Sequence, residues 1–175
     1  FSAQELKAAG LGDAQVLKSA GFIAQELKSA GLRDAKVLRS AGFGAQELLG
    51  ADFSTHQLRR AGFGVPELRE AGFRDAKALL GAGFSVREMK DAGFGAQELM
   101  DAGFRGARQL QEMKRAGFGA PELTSAGFSA KELRRVGFAA QELRNSGFSL
   151  QKLIDVGFCD ARELKQAGFS AQELK

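Results

Sequence analysis

His56 and Cys159 are the only histidine and the only cysteine in this chain, so they are the first places to look for proton transfer or nucleophilic attack. Either role needs a partner held close by. His56 stands where equivalent segments carry Gln or Lys, and nothing beside it could serve as its base or co-ligand. Cys159 has no adjacent histidine to draw off its proton. The carboxylates are no better placed. Acid–base catalysis calls for two facing acids, whereas these recur singly along the chain. The glycines are evenly spaced and form neither a phosphate-cradling loop nor a dinucleotide fingerprint. These residues predict a chain that is not an enzyme and that uses no metal or cofactor.

One stretch has a charge pattern that could bind something. Arg105, Arg108, Lys114, Arg115, Lys131, Arg134 and Arg135 face only Glu112, Glu122 and Glu132 over the same span. Such a cluster is a candidate docking patch for an acidic partner or a lipid headgroup, to be weighed against an ordinary solvated surface. Elsewhere an early Glu is balanced by a late Lys or Arg, as in Glu5 with Lys7 and Glu26 with Lys28. That order complements a helix dipole and needs no partner to explain it.

The elements that must carry these side chains are written as a phrase of about ten residues, close to Phe-Ser-Ala-Gln-Glu-Leu-Lys-x-Ala-Gly, repeated throughout. Each copy reads as a short helix with both ends specified. Ser2 is an N-cap, and Glu5 three residues later completes a capping box. Phe1 and Leu6 have the spacing of a hydrophobic staple. Gly10 fits the left-handed residue that ends a helix, and Leu11 then falls where a Schellman turn sets an apolar contact against Leu6. At the glycine position Asp52 is the exception. Pro66 and Pro121 fall at the second helical position, where an N–H is unpaired in any case.

The departures obey the same rules. Gly12, Arg33, Arg74, Arg105 and Cys159 are extra residues in the turn, so the caps become Asp13, Asp34, Asp75, Gly106 and Asp160. Val16 and Val37 replace the capping-box glutamate and are expected to widen the buried stripe. Leu110 and Met113 predict one helix that is longer by about one turn. A pentapeptide β-solenoid is the competing reading, since Phe and Leu alternate about every five residues. Gln4, Gln25 and Gln46, at a place where that coil needs a small inward residue, count against it, as do the irregular repeat steps.

The chain has 175 residues and a net charge of +4. No apolar run approaches the ~18 residues of a membrane span, although peripheral membrane association stays open. A lone cysteine permits no internal disulfide. Every aromatic is Phe at the turn, which leaves no stacking platform for bases and makes nucleic acid a poor candidate. Both ends read Phe-Ser-Ala-Gln-Glu-Leu-Lys, which predicts one continuous array over 1–175 cut from a longer one.

The segment Ala167 to Lys175, with its near copies throughout, resembles the tandem decapeptide helical repeats found in many proteins of algae, protists and bacteria. The resemblance covers essentially the whole chain, and it implies an architecture and no activity. The resulting expectation is an all-α solenoid or superhelix of two-turn helices with a 10–11-residue repeat, its contacts mostly between neighbouring units. The function expected of it is a structural scaffold or linker that lies along a larger assembly and bridges its protein subunits. The alternative is a repeat-based module that recognises a protein or nucleic acid.

Overall fold

In the computed structural model, which describes residues 1–174, sixteen helices and no strands are found among the described residues. Fifteen helices are six residues long; the exception, Ala107–Arg115, has nine and is the predicted long one. The protein is an all-α repeat solenoid. Its chain gathers into two compact units, Phe1–Ala92 and the part from Gly93 onward. The first holds α1 (Ala3–Ala8), α2 (Ala14–Ser19), α3 (Ala24–Ser29), α4 (Ala35–Ser40), α5 (Ala45–Gly50), α6 (Thr55–Arg60), α7 (Val65–Glu70), α8 (Ala76–Gly81) and α9 (Val86–Asp91). The second holds α10 (Ala96–Asp101), α11 (Ala107–Arg115), α12 (Ala120–Ser125), α13 (Ala130–Arg135), α14 (Ala140–Asn145), α15 (Leu150–Asp155) and α16 (Ala161–Gln166). The closing Ala171–Leu174 segment forms a turn.

Helices this short are marginal in water without fixed ends and tertiary contacts. The ends are fixed as the sequence predicts. Glu5 N–H donates to the Ser2 hydroxyl oxygen at 3.2 Å, and Ser2 N–H donates to Glu5 Oε2 at 2.7 Å. Where the cap has no hydroxyl, as at Gly44, Gly64 and Ala139, the glutamate half persists, with the cap N–H donating to the Glu at 2.7, 2.7 and 2.8 Å. The aspartates take over in the long turns: Asp13 Oδ1 accepts from both Gln15 and Val16 N–H at 3.0 Å. At the other end Leu11 N–H donates to the Leu6 carbonyl and Gly10 N–H to the Lys7 carbonyl, at 2.9 and 3.1 Å, which is the Schellman pattern. Gly10 takes φ +84°, and Asp52, in the same place one array position after α5, takes φ +57°.

Packing departs from the expected order. Helices stack principally on their next-but-one neighbour: α1 on α3 on α5 on α7 on α9, and α2 on α4 on α6 in the first unit. In the second, α10, α12, α14 and α16 stack in the same manner. Each glycine turn sends the chain across to the other side, so consecutive helices belong to different stacks and the structural period is two repeats. The fourth helical residue points into the seam. Leu17, Leu27, Leu38, Leu48, Leu58 and Leu68 are all 0% exposed, and a fully buried Leu contributes about 1.5–3 kcal/mol. No polar or charged residue is buried among the described residues.

Two local expectations fail. Val16 and Val37 are 54% and 46% exposed rather than part of a wider stripe. They hold the third helical position, about 100° around the helix from the buried leucine and ~200° from the buried first-turn alanine, so they share the solvent face with the glutamates they replace. Phe1 is fully exposed and staples nothing.

Candidate interaction surface

Lys or Arg at the fifth helical position recurs through the array, and the stacking gives it a partner far off in sequence. Lys7 Nζ donates to the Ala30 carbonyl at 2.9 Å, Lys28 to Ala51 at 2.7 Å, Arg59 to Ala82 at 2.8 Å and Arg144 to Ala167 at 2.9 Å. Lys18 reaches the Gly42 carbonyl, Arg39 the Ala61 carbonyl and Arg134 the Val156 carbonyl, and in the longer α11 the eighth residue, Lys114, reaches the Val136 carbonyl in the same way. The acceptor is always a carbonyl at the end of the helix two places on, one that the Schellman turn leaves unpaired. The same cation lies over the Phe that follows: 4.3 Å for Lys18 on Phe43, 4.2 Å for Arg39 on Phe63 and 4.7 Å for Arg144 on Phe169. One side chain thus satisfies an orphan acceptor, complements the negative helix end and roofs a ring.

Where the fifth residue is not basic the cationic roof is missing, although Met100 in α10 leaves Phe128 buried at 3%. Leu49 stands there in α5, and Phe73, two repeats on, is only half-buried. Thr124 stands there in α12; its Oγ1 is buried without a hydrogen-bond partner, and Phe148 is half-buried. Fully roofed Phe43, Phe53 and Phe63 are 2–4% exposed by comparison.

The stacks also sort charge. In the first unit, residues 11–21, 32–42, 53–62 and 73–83, which contain the even-numbered helices, carry eight basic and three acidic residues. The odd-numbered side of that unit carries five basic and eight acidic. In the second unit the odd-numbered side, residues 104–117, 128–137 and 148–157, has eight basic and three acidic, and the even-numbered side three and six. Each unit therefore has one cationic and one anionic stack.

The seven patch residues all fall on α11, α13 and the turn before α11, hence on one stack, while Glu122 on α12 belongs to the other. They do not act alike. Lys114 and Arg134 are held by carbonyls and by the rings of Phe138 and Phe158. Arg105 Nε donates to the Met100 carbonyl at 3.0 Å, and its Nη2 lies 3.5 Å from Asp101. Arg108, Arg115, Lys131 and Arg135 are exposed. His56 and Cys159 are exposed as well, and Cys159 Sγ contacts only the Gly157 carbonyl, at 3.4 Å. The described residues contain no group of acids, His and Cys able to hold a metal ion, and no helix long and apolar enough to cross a membrane.

The glutamates that face a serine cap, Glu5, Glu88, Glu132 and Glu173, are held below their ordinary pKa. The Ser85 backbone N–H and hydroxyl hold Glu88 below its ordinary pKa of 4.5, and nearby Arg59 acts in the same direction. The Ser129 hydroxyl and N–H do the same for Glu132. A carboxylate more acidic when folded than unfolded stabilises the fold above its unfolded pKa and loses that contribution as pH falls through the lower folded value. Thermal midpoints are therefore expected to be flat above about pH 5 and to fall progressively below 4.5. Glu88→Gln and Glu132→Gln together should make that acid slope shallower, and an unchanged slope would remove the caps as its source.

The family pattern described as Decapeptide repeat region matches residues 1–75 and 107–175. The intervening residues hold α8, α9 and α10, which keep the same caps and turns. No curated protein and no solved structure matches the chain.

Proposed function

Because this chain belongs to the decapeptide-repeat family, with its shared residues consumed by caps, turns and the seam, we propose that it is a non-catalytic scaffold or linker that lies along a larger assembly and bridges its protein subunits. The observation that carries this reading is the division of labour within each repeat. The first, third and fourth helical residues, the Phe and the fifth-position cation are used internally, the third mostly as the capping-box Glu, while the second and sixth face outward and vary. Surface is thus added in proportion to length, at a fixed two-repeat pitch, and neighbouring repeats can present different residues to different subunits. Docking would also stabilise a chain whose six-residue helices depend on contacts outside themselves.

The alternative, a recognition module, draws support from the cationic stacks. Protein is the better partner for it than nucleic acid, because the Phe rings are committed to the turns and no Trp or Tyr is present to stack on bases.

Cross-linking of native extract followed by mass spectrometry tests the scaffold reading. Lys36, Lys77, Lys131 and Lys152 are exposed and spread over the array. They are expected to link to two or more different proteins at fixed stoichiometry. Migration of the chain by itself, with links only within the chain, would sink the proposal.

A further inference from the structure

Two grooves in different units are built from the same positions of the repeat. In the first, Arg33 stands on the turn before α4, opposite Arg60 and Ala61 at the end of α6. In the second, Arg105 stands on the turn before α11, opposite Arg135 and Val136 at the end of α13. Arg33 and Arg105 are both extra residues in a lengthened turn, and Arg60 and Arg135 are both the sixth residue of the helix stacked two places on. Lys36, the second residue of its helix, adds a third positive charge to the lining of the first groove, and Arg108 holds the same helical position in α11. None of these six is a fifth-position residue, so none is used to roof a ring.

The equivalence is not imposed by the fold. The lengthened turn at Gly12 precedes α2, and the sixth residue of α4, its stacked neighbour, is Ser40. That place in the array is the same in backbone terms and uncharged. Arg74 and Lys77 repeat the turn and second-position cations before α8, so what marks the two grooves is a turn arginine placed opposite a sixth-position arginine.

The floors are apolar: Ala35 in the first, Ala107 and Leu110 in the second. Each wall also includes one carboxylate that is already engaged. Asp34 Oδ1 accepts from Lys36 N–H at 2.8 Å, and Glu132 Oε2 accepts from Ser129 N–H and hydroxyl at 2.9 and 2.6 Å. Arg105 Nη2 also lies 3.5 Å from the exposed Asp101, a contact that an incoming carboxylate would have to share or displace, and positive charge remains in excess on both rims. The first groove is about 520 Å³ and the second about 150 Å³, and only the second lies below the ~300 Å³ at which small-molecule pockets begin. A side chain or two fits there better than a cofactor.

We propose that these are twin docking grooves for acidic protein segments, each taking a small apolar side chain on its floor and pairing flanking carboxylates with the two arginines on its lips. Arginine suits this task because its planar fork donates two parallel hydrogen bonds to a carboxylate. An apolar floor between the charges favours a peptide over a phosphate backbone, which has no apolar group to place there. The inference deepens the scaffold reading by naming the partner chemistry, and it rests on that reading only for the partner being a protein.

The test uses the whole chain and a fluorescein-labelled twelve-residue peptide repeating Glu-Ala-Leu-Glu, titrated by anisotropy at low salt. The Arg60→Glu, Arg135→Glu double variant is compared with Arg87→Glu, Arg162→Glu, which makes the same change of net charge on the anionic stacks. All four arginines are exposed, so far-UV circular dichroism and thermal midpoints should match the parent chain. The groove pair is expected to weaken peptide binding by tenfold or more, with the control pair within about twofold. Equal weakening by both pairs would reduce the effect to net charge and overturn the grooves. So would no binding by the parent chain, preference for duplex DNA or phosphatidylserine vesicles over the peptide, or salt-sensitive self-association abolished by the control pair. If the peptide fails while native cross-links to several subunits persist, only the grooves fall; the converse removes the scaffold and leaves the grooves.

Discussion

Replacing Gly83 with alanine is expected to destabilise the protein by about 2–4 kcal/mol, roughly twice the cost of the same change at Gly72. The two glycines are alike in backbone, at φ +91° and +85°. Any L-residue there meets the left-handed penalty of about 1–2 kcal/mol. They differ in what an added Cβ would touch. At Gly72 there is nothing within 4 Å, whereas at Gly83 the Cβ would run into Arg59 Nη1. That nitrogen donates to the Ala82 carbonyl at 2.8 Å, and its guanidinium lies 5.2 Å from the centre of the Phe84 ring. A flexible side chain can swing away, so the added cost is not a clash but the loss of the contact, about 1–2 kcal/mol for a charge-assisted bond that is partly solvated. Urea unfolding followed by circular dichroism reads the difference directly. In an Arg59→Ala background the excess should vanish and the two glycines should cost the same. Equal costs in the parent background would mean that the fifth-position cation contributes nothing.

What could be read from the sequence, and what could not, divides by distance along the chain. Ser2 with Glu5, Asp13 with Val16 and Gly10 with Lys7 all interact within a few residues, so the caps and turns are legible in a single copy of the repeat. The stacking of α4 on α6 is not, because a ten-residue period is equally compatible with neighbour-on-neighbour contact. Once the structural period is two repeats, residues 22–24 apart become partners, and Lys7 with Ala30 is invisible without it. A sufficient local explanation also concealed it, since a late Lys already complements its own helix dipole.

The same doubling accounts for the charges. Arg105 to Arg135 stood out in the sequence because α11 is long and α12 carries one acid and no base, so the cations of one stack came close together. In the first unit the cations of α4, α6 and α8 are separated by acidic odd-numbered helices, so residues 33–83 carry eight basic residues against six acidic ones. Arg33, Lys36 and Arg60 were therefore overlooked as a group, although they occupy the positions held by Arg105, Arg108 and Arg135. Val16 and Val37 mislead in the opposite sense. Their type suggests burial, but their place on the helix is the glutamate's place, and position prevails over residue type.

Leu58→Ala is expected to cost 2–5 kcal/mol, the range for a fully buried leucine whose surroundings cannot collapse onto the void. Its distribution is the more telling result. A six-residue helix has almost no stability of its own, so α6 should open once its anchor is gone, and its long-range contacts to α4 and α8 open with it. Arg39 of α4 loses the Ala61 carbonyl at the end of α6, and Arg59 of α6 releases the Ala82 carbonyl at the end of α8. Amide hydrogen exchange should therefore accelerate in α4 and α8 ahead of α5 and α7, although the latter two are closer in sequence. In an array coupled chiefly along the chain the order would be reversed, with α5 and α7 the first to lose protection. That reversed order would leave the stacking as geometry and return the energetics to the turns. The expected order places the stability of each repeat in the repeat two away, which is why adding or removing a single unit should disturb the array more than adding or removing a pair.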